Sequence, residues 1–152
     1  MHVRNAETTD LPELIKLCIA HADFEGGSTH GGEFSIRLGD RLFGHTGGVM
    51  TWVAVSDAAV VGYATASPVF STWQATDYLH LDCLYLDAEH RGQGGGRLII
   101  SAIYEYARAN NFPWIEWQTP TWNSNAIRFY ERLGATNTQK ARFSIAVEPE
   151  SD

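Results

Sequence analysis

A short segment rich in glycine stands between an apolar stretch and a stretch with helical periodicity. It reads Arg91-Gly92-Gln93-Gly94-Gly95-Gly96 and follows the apolar run 79–86. Glycines let backbone N–H groups approach an anion closely, and the N-terminus of a following helix adds its positive dipole end. The segment matches neither a Walker A loop nor the dinucleotide-binding fingerprint. It therefore indicates either an anion-binding turn of the pattern R-x-x-G-x-G or an ordinary flexible turn.

A carboxylate, Asp82, interrupts the same apolar run, and His80 lies two residues before it. A charged group among apolar strand residues is costly unless it is paired or hydrated, which makes it a functional candidate. Residues two apart in a strand share a face, so we expect Asp82 beside His80 and Cys83 on the opposite face, in the core. Asp82 is predicted either to accept a proton in catalysis, through a water, or to bond loop backbone.

The histidines and cysteines show no pattern typical of metal binding. The six histidines stand at positions 2, 21, 30, 45, 80 and 90, without a spacing such as H-E-x-x-H. Cys18 and Cys83 lie far apart and have no partner motif. We expect no metal, and two ordinary thiols in a reduced, cytoplasmic protein.

The elements that position these residues follow from periodicity and turn signals. Strands are predicted at 3–7, 50–56, 60–67, 78–86, 114–118 and 141–147. A first helix opens at 9–13, with Asp10 as its cap, and further helices are predicted near 34–43, 97–110 and 125–133, the last stopped by Gly134. This order predicts a mixed α/β sheet in a single domain over 1–152, with its ligand site near the glycine turn.

Composition and charge narrow the function classes. The chain has 152 residues, 44% hydrophobic and 19% charged, which fits one domain with a sizeable core. No apolar run approaches the ~18 residues of a membrane span, so we expect no membrane partner. The net charge is −7 and no basic stripe is present, which argues against nucleic-acid binding. Residues 1–90 are acidic and residues 91–142 are basic, which predicts one region for a cation and one for an anion, unless the charges are merely solvated.

Residues 121–135 add a second motif, Thr-Trp-Asn-Ser-Asn-Ala-Ile-Arg-Phe-Tyr-Glu-Arg-Leu-Gly-Ala. This motif and the R-x-x-G-x-G turn about thirty residues upstream are the features by which the chain resembles the GNAT superfamily of N-acetyltransferases. The likeness spans essentially the whole chain and is strongest over 78–135. It implies a GNAT fold, with a mixed, mostly antiparallel central sheet of about six or seven strands and about four flanking helices.

The resemblance implies that acetyl-CoA is the acetyl donor. Asn123 matches a cofactor-contacting asparagine, and Tyr130 matches the tyrosine near the thioester sulfur. The pantetheine arm would pair with the backbone of Leu84 and Leu86. The pyrophosphate would lie on the turn formed by Arg91, Gly92, Gln93, Gly94, Gly95, Gly96 and Arg97.

The chemistry of such a transfer assigns roles to two side chains. An alkyl amine has a pKa of ~10.4, so at neutral pH it must lose a proton before it can attack the thioester directly. Asp82 is the predicted base, and Tyr130 is the predicted acid that protonates the departing thiolate.

Within the superfamily, the likeness is greatest to the diamine (spermidine/spermine) and thialysine acetyltransferases. The segments that carry it are 22–25, 70–73, 79–82 and 122–135. On this likeness Glu25 would bind a substrate ammonium, and the other acceptor contacts would be Phe24, Trp73, His80 and Asp82. That group's Glu-Asp pair is Asp82-Cys83 here, so a shorter amine or a lysine-like amino acid stays open beside a polyamine.

The resulting hypothesis is an acetyl-CoA-dependent N-acetyltransferase for a small cationic amine. One alternative is a GNAT enzyme for an aminoglycoside antibiotic or a protein amine. Another is a non-catalytic acyl-CoA-binding regulator. The resemblance also favours a homodimer.

Overall fold

Apolar alternations separated by turn residues give this chain a sheet with helices on both faces. The structure, a computed structural model, describes residues 1–29, 31–45 and 47–150. Strands β1 to β5 are His2–Asn5, Met50–Ser56, Ala59–Ser71, Thr76–Leu86 and Ile115–Glu116. Helices α1 to α4 are Leu11–Phe24, Phe34–Phe43, Gly95–Ala109 and Ser124–Arg132. The chain forms two compact units, Met1–Pro120 and the residues from Thr121 onward.

The sheet of the first unit follows chain order, β1-β2-β3-β4-β5. The pairs β1–β2, β2–β3 and β3–β4 are antiparallel, and β5 pairs with β4 in parallel. The tight turn between β2 and β3 places Asp57 and Ala58 at φ angles of 48° and 64°, a left-handed pair typical of such hairpins. The mixed, mostly antiparallel α/β fold is confirmed, with five strands in the described residues where about six or seven were expected.

Each face of the sheet buries a different helix. Ile99 and Ile103 of α3 pack on the face that carries Trp52 and Leu79. Leu14 and Leu17 of α1 are buried against the opposite face, which carries Val53, Val55 and Tyr63. This alternation along β2 is the pattern of a strand covered on both sides. The helix ends and loops that flank these packed faces are therefore held by a rigid framework.

Asp10 has a different role from the predicted one. Its side chain makes no capping hydrogen bond to α1. Instead the buried carboxylate accepts two hydrogen bonds from the Arg4 guanidinium, at 2.7 and 2.9 Å, and one from the backbone N–H of Glu7 at 2.7 Å. Asp10 does stand at the N-cap position of α1, as predicted, but its side chain does not cap the helix. A 3-10 turn, Thr8–Asp10, precedes α1, and the Asp10 carboxylate bonds the backbone at the start of that turn.

The second unit contains α4 and the C-terminal segment. The helix ends as predicted at Gly134, which has a φ angle of 89°. Gly134 N–H donates to the carbonyl of Glu131 and Ala135 N–H donates to that of Tyr130, the bond pair of a Schellman motif.

The prediction of a strand at 141–147 was wrong, because this segment has no regular secondary structure. Its apolar side chains are about nine-tenths exposed, at Phe143, Ile145 and Val147. Alternation of apolar residues gives a strand only where a neighbouring strand supplies hydrogen bonds and cover.

Candidate active site

An irregularity in β4 determines where Asp82 lies. Thr65 pairs with Cys83 and the next residue, Ala66, pairs with Leu81, so Asp82 is the extra residue of a β-bulge. Bulges re-aim side chains and are frequent beside active sites. Leu81 is consequently buried on the α3 face, whereas Cys83 packs on the α1 face.

The bulge corrects one prediction about facing. Asp82 and Cys83 were expected on opposite faces, yet both line one cavity, and the Cys83 thiol lies 3.6 Å from the Asp82 carboxylate. The predicted neighbour His80 has its Nε2 atom 3.9 Å from the Asp82 Oδ1 atom. The Asp82 side chain is 71% exposed. Its charge is therefore tolerated because it is hydrated at the open side of the strand.

The cavity lies between the C-terminal end of α1, one face of α2, and strands β3 and β4. Its volume is about 540 Å³, within the range of ~300–1,000 Å³ typical of small-molecule sites. Apolar side chains form much of the wall, among them Leu38 and Leu42. The polar side chains that line it include His21, Glu25, Arg37, Arg41, Tyr63 and Asp82.

His21 is one of the site residues that the sequence reasoning missed, together with Tyr63, Arg37 and Arg41. Its Nδ1 atom lies 2.9 Å from the Tyr63 hydroxyl, and its Nε2 atom lies 3.4 Å from the Glu25 carboxylate. The ring also stacks on Tyr85, with centroids 5.1 Å apart. The available signal was helical spacing: His21 stands four residues after Leu17, which faces the sheet, and four before Glu25. His21, Tyr63 and Glu25 form a connected polar group that can orient a donor or accept a proton.

The two thiols flank Tyr63 in the same region. Burial raises the pKa of Cys83 to about 12, and burial also raises the pKa of Cys18. Burial likewise raises the pKa of the Tyr63 phenol, and both thiols add to this effect. A protonated thiol is a poor nucleophile, so these cysteines are not suited to carry an acyl group at neutral pH.

The glycine turn begins directly after β4 and leads into α3. Gly92 and Gly94 adopt left-handed φ angles of 75° and 86°, and Gly94 is the N-cap of α3. A Cβ at either position would meet no protein atom within 4 Å. Because the first N–H groups of a helix have no acceptor within it, the turn presents backbone donors beside open space. This arrangement can hold an anion.

Gly95 is needed in this turn because its position leaves no room for a side chain. A Cβ added there would lie 2.6 Å from the Met1 sulfur and 3.0 Å from a methyl group of Leu86. The absent side chain lets the start of α3 pack directly on the end of β4.

The Arg91 side chain turns back toward the sheet instead of outward. Its Nε donates to the carbonyl of Leu86 at 2.9 Å. Its guanidinium carbon lies 4.7 Å from the ring centre of Phe24 and 5.2 Å from that of Tyr85, at cation–π distance. Phe24, predicted to contact an acceptor, thus ties the end of α1 to the glycine turn.

In the described residues, the edge of β4 that faces away from β3 pairs with another strand over only a short length. In the described part of the chain, β5 pairs only with Leu79 and His80. Leu84 and Leu86, predicted to pair with the pantetheine arm, lie beyond this short ladder. A strand edge of this kind can accept an added extended chain.

The other predicted site residues lie apart from the cavity wall or in the second unit. Trp73 is 96% exposed in the turn between β3 and β4. The Asn123 side chain accepts a hydrogen bond from the backbone N–H of Ala126 at 3.2 Å and so caps α4. Tyr130 is half-buried on α4, with its ring centre 5.2 Å from that of Phe129.

The described residues hold neither a group of metal ligands nor a membrane-spanning helix. In the part of the chain described, no three His, Cys, Asp or Glu side chains are grouped as metal ligands. His30 lies outside the described residues. Among the residues that are described, no helix is long and apolar enough to cross a membrane.

Comparison with known proteins gives the family. Residues 16–135 match the model of the Acetyltransferase (GNAT) family. The chain therefore belongs to this family, whose acetyltransferases use acetyl-CoA as the acetyl donor.

Two curated relatives and one solved structure illustrate the likeness. The chain is 28% identical over 81 residues to an L-ornithine N5-acetyltransferase of Arabidopsis thaliana, which covers 53% of this chain and 36% of that protein. It is 33% identical over 72 residues to a thialysine N-epsilon-acetyltransferase of Caenorhabditis elegans, with 47% and 44% covered. The chain thus spans less than half the length of these relatives.

The solved structure is an aminoglycoside acetyltransferase from an uncultured soil metagenomic sample, in complex with sisomicin. It superposes with a TM-score of 0.79 at 20% identity, covering 96% of this chain and 95% of that one. At this identity the likeness concerns the fold.

Proposed function

We propose that this protein transfers the acetyl group of acetyl-CoA to a primary amine of a small cationic acceptor, by direct attack on the thioester. One observation carries the proposal. Strand β4 bears Asp82 in the wall of the cavity and leads, at its C-terminal end, into the glycine turn at the N-terminus of α3. An acceptor site and an anion site on one strand suit a reaction that joins an amine to a phosphate-bearing donor.

The residues of the glycine turn fit the diphosphate of acetyl-CoA. Open space over Gly92 and Gly94 and the N-terminus of α3 together support binding by the backbone from Arg91 to Arg97. The β4 edge at Leu84 and Leu86 would pair with the pantetheine arm, and Asn123 would add a contact. When bound, acetyl-CoA supplies the acetyl group as an activated thioester.

Asp82 and Tyr130 would move the protons. Asp82 is hydrated and lines the cavity, so it can accept the proton of an ammonium through a water. His80, 3.9 Å away, would help to orient that carboxylate. Tyr130 is assigned as the acid for the departing thiolate on the family resemblance. The raised pKa values of Cys18 and Cys83 favour direct transfer over a thioester on the protein.

The acceptor assignment rests on charge and on the relatives. Glu25 and Asp82 place two carboxylates on the cavity wall, and each of them can bind an amino group of the acceptor. Two relatives are named for L-ornithine and thialysine, both of which carry a terminal amine. Phe24 and Trp73 stay predicted acceptor contacts, and the homodimer and the cytoplasmic location stay predictions.

A panel of amines with acetyl-CoA tests this function, with release of the free thiol as the readout. We expect turnover with diamines or lysine-like amino acids. Turnover confined to aminoglycosides or to peptide amines would favour the alternative acceptors. Cofactor binding without thiol release for any amine would favour a non-catalytic acyl-CoA-binding regulator.

A further inference from the structure

One face of α2 borders the cavity, and it carries two positive charges. The α2 residues that line the cavity are Phe34, Arg37, Leu38, Arg41 and Leu42. Their spacing is that of a single helix face. The face is apolar at three positions, so the two arginines are its only charged members. Arg37 and Arg41 stand four apart, which places their side chains beside each other along the helix.

The cavity therefore has walls of both signs. Glu25 at the end of α1 and Asp82 on β4 contribute two carboxylates, and Arg37 and Arg41 contribute two guanidinium groups. An acceptor that carries positive charges alone, such as a diamine or an aminoglycoside, gains from the carboxylates but is opposed by the arginines. An acceptor with both signs gains from both walls, because guanidinium groups bind carboxylates through paired, charge-assisted hydrogen bonds.

We infer that Arg37 and Arg41 form a subsite for the α-carboxylate of the acceptor, which would be an α-amino acid with a terminal amine. The inference rests on the proposed function. Glu25 would bind the α-ammonium group, and the terminal amine would extend along the apolar wall toward Asp82. The acceptor's one negative and two positive charges would then each meet an opposite charge. The apolar cavity-lining residues of α2, Phe34, Leu38 and Leu42, suit the methylene chain of such an amino acid.

A matched pair of substrates tests this subsite. Cadaverine is L-lysine without its carboxylate, and putrescine is L-ornithine without its carboxylate, so each pair isolates that one group. We expect kcat/KM for the amino acid to exceed that for the diamine by about 10- to 100-fold, the size of an interaction with a charged partner. In the double variant Arg37→Gln/Arg41→Gln, the preference is expected to fall at least about tenfold, through KM for the amino acid.

A control variant and three contrary results separate a failure of the subsite from a failure of the proposed function. Arg108→Gln removes another exposed arginine, paired with Glu105 on α3, and we expect it to leave the preference unchanged. Equal kcat/KM values for amino acid and diamine in the unmodified protein overturn the subsite while supporting the transferase function. A preference that survives the double variant, with its fold verified by circular dichroism, overturns it as well. No thiol release with any amine would instead contradict the proposed function.

Discussion

The two sites that β4 connects are built in different ways. The glycine turn consists of consecutive residues, and the groups proposed to bind the diphosphate are backbone N–H donors positioned by Gly92 and Gly94. The cavity proposed to bind the acceptor is lined mainly by side chains from α1, α2, β3 and β4. A site whose binding groups are backbone N–H donors is formed by consecutive residues, and a few residue types determine its conformation. A site made of side chains depends on how distant segments pack, and few of its members are visible in a motif.

The largest expected effect concerns the side-chain site. Because Asp82 is the proposed proton acceptor, Asp82→Asn is expected to lower kcat by about 10²–10³-fold. It is also expected to change the pH dependence of kcat/KM, measured by thiol release. Asp77→Asn, an exposed carboxylate on the same strand, is the matched control. An unchanged rate and pH profile for Asp82→Asn would remove Asp82 as the base.

A second variant tests the acid. Tyr130→Phe keeps the ring and removes the hydroxyl, so we expect kcat to fall about 100-fold with little change in the Kd for acetyl-CoA. Rapid-mixing kinetics and calorimetry measure the two quantities separately. Full turnover in this variant would exclude Tyr130 from proton transfer.

A third variant tests the backbone site. Gly94→Ala adds a Cβ at a φ angle of 86° that would project into the open space above the turn, and the strain costs about 1–2 kcal/mol. We expect the Kd for acetyl-CoA to rise about tenfold. Gly134→Ala imposes similar strain at a φ angle of 89° in open space. Similar losses of acetyl-CoA affinity in both variants would mean that strain, and not the turn, determines binding.

The smallest effect on activity is expected at Asp10, which pairs with Arg4 and belongs to neither of the two sites. The Arg4 guanidinium, with help from the Glu7 backbone, holds the pKa of the buried Asp10 carboxyl below its usual value. Its stabilisation is therefore present above the unfolded-state pKa of ~3.9 and is lost as the pH falls through the lower folded-state pKa.

Asp10→Asn is accordingly expected to lower the free energy of unfolding at pH 7 by about 1–3 kcal/mol. The difference from the unmodified protein is expected to shrink below about pH 4. Urea unfolding at several pH values measures it. Glu13→Gln, which removes an exposed pair with Lys16, is the control, and an equal loss there would deny Asp10 its special role.

The same distinction explains what the sequence predicted. The bounds of α2 and β2, the Gly134 stop and the position of the glycine turn between β4 and α3 follow from local patterns, and they agree with the structure. The bulge at Asp82 could not be predicted, because it is defined by the register between β3 and β4. His21 and Arg41 lie in helices whose facing depends on packing against the sheet. The failed strand at 141–147 shows the same dependence on a distant partner.

The most direct test of the connected sites is an NMR titration of the backbone amides. If the glycine turn holds the diphosphate, acetyl-CoA will shift the amide resonances of Gly94, Gly95 and Gly96. Pantetheine, which lacks the diphosphate, will leave those resonances in place. Saturable binding of acetyl-CoA that moves other amides but not these, or no binding at all, would contradict the assignment of the turn and the transferase function built on it.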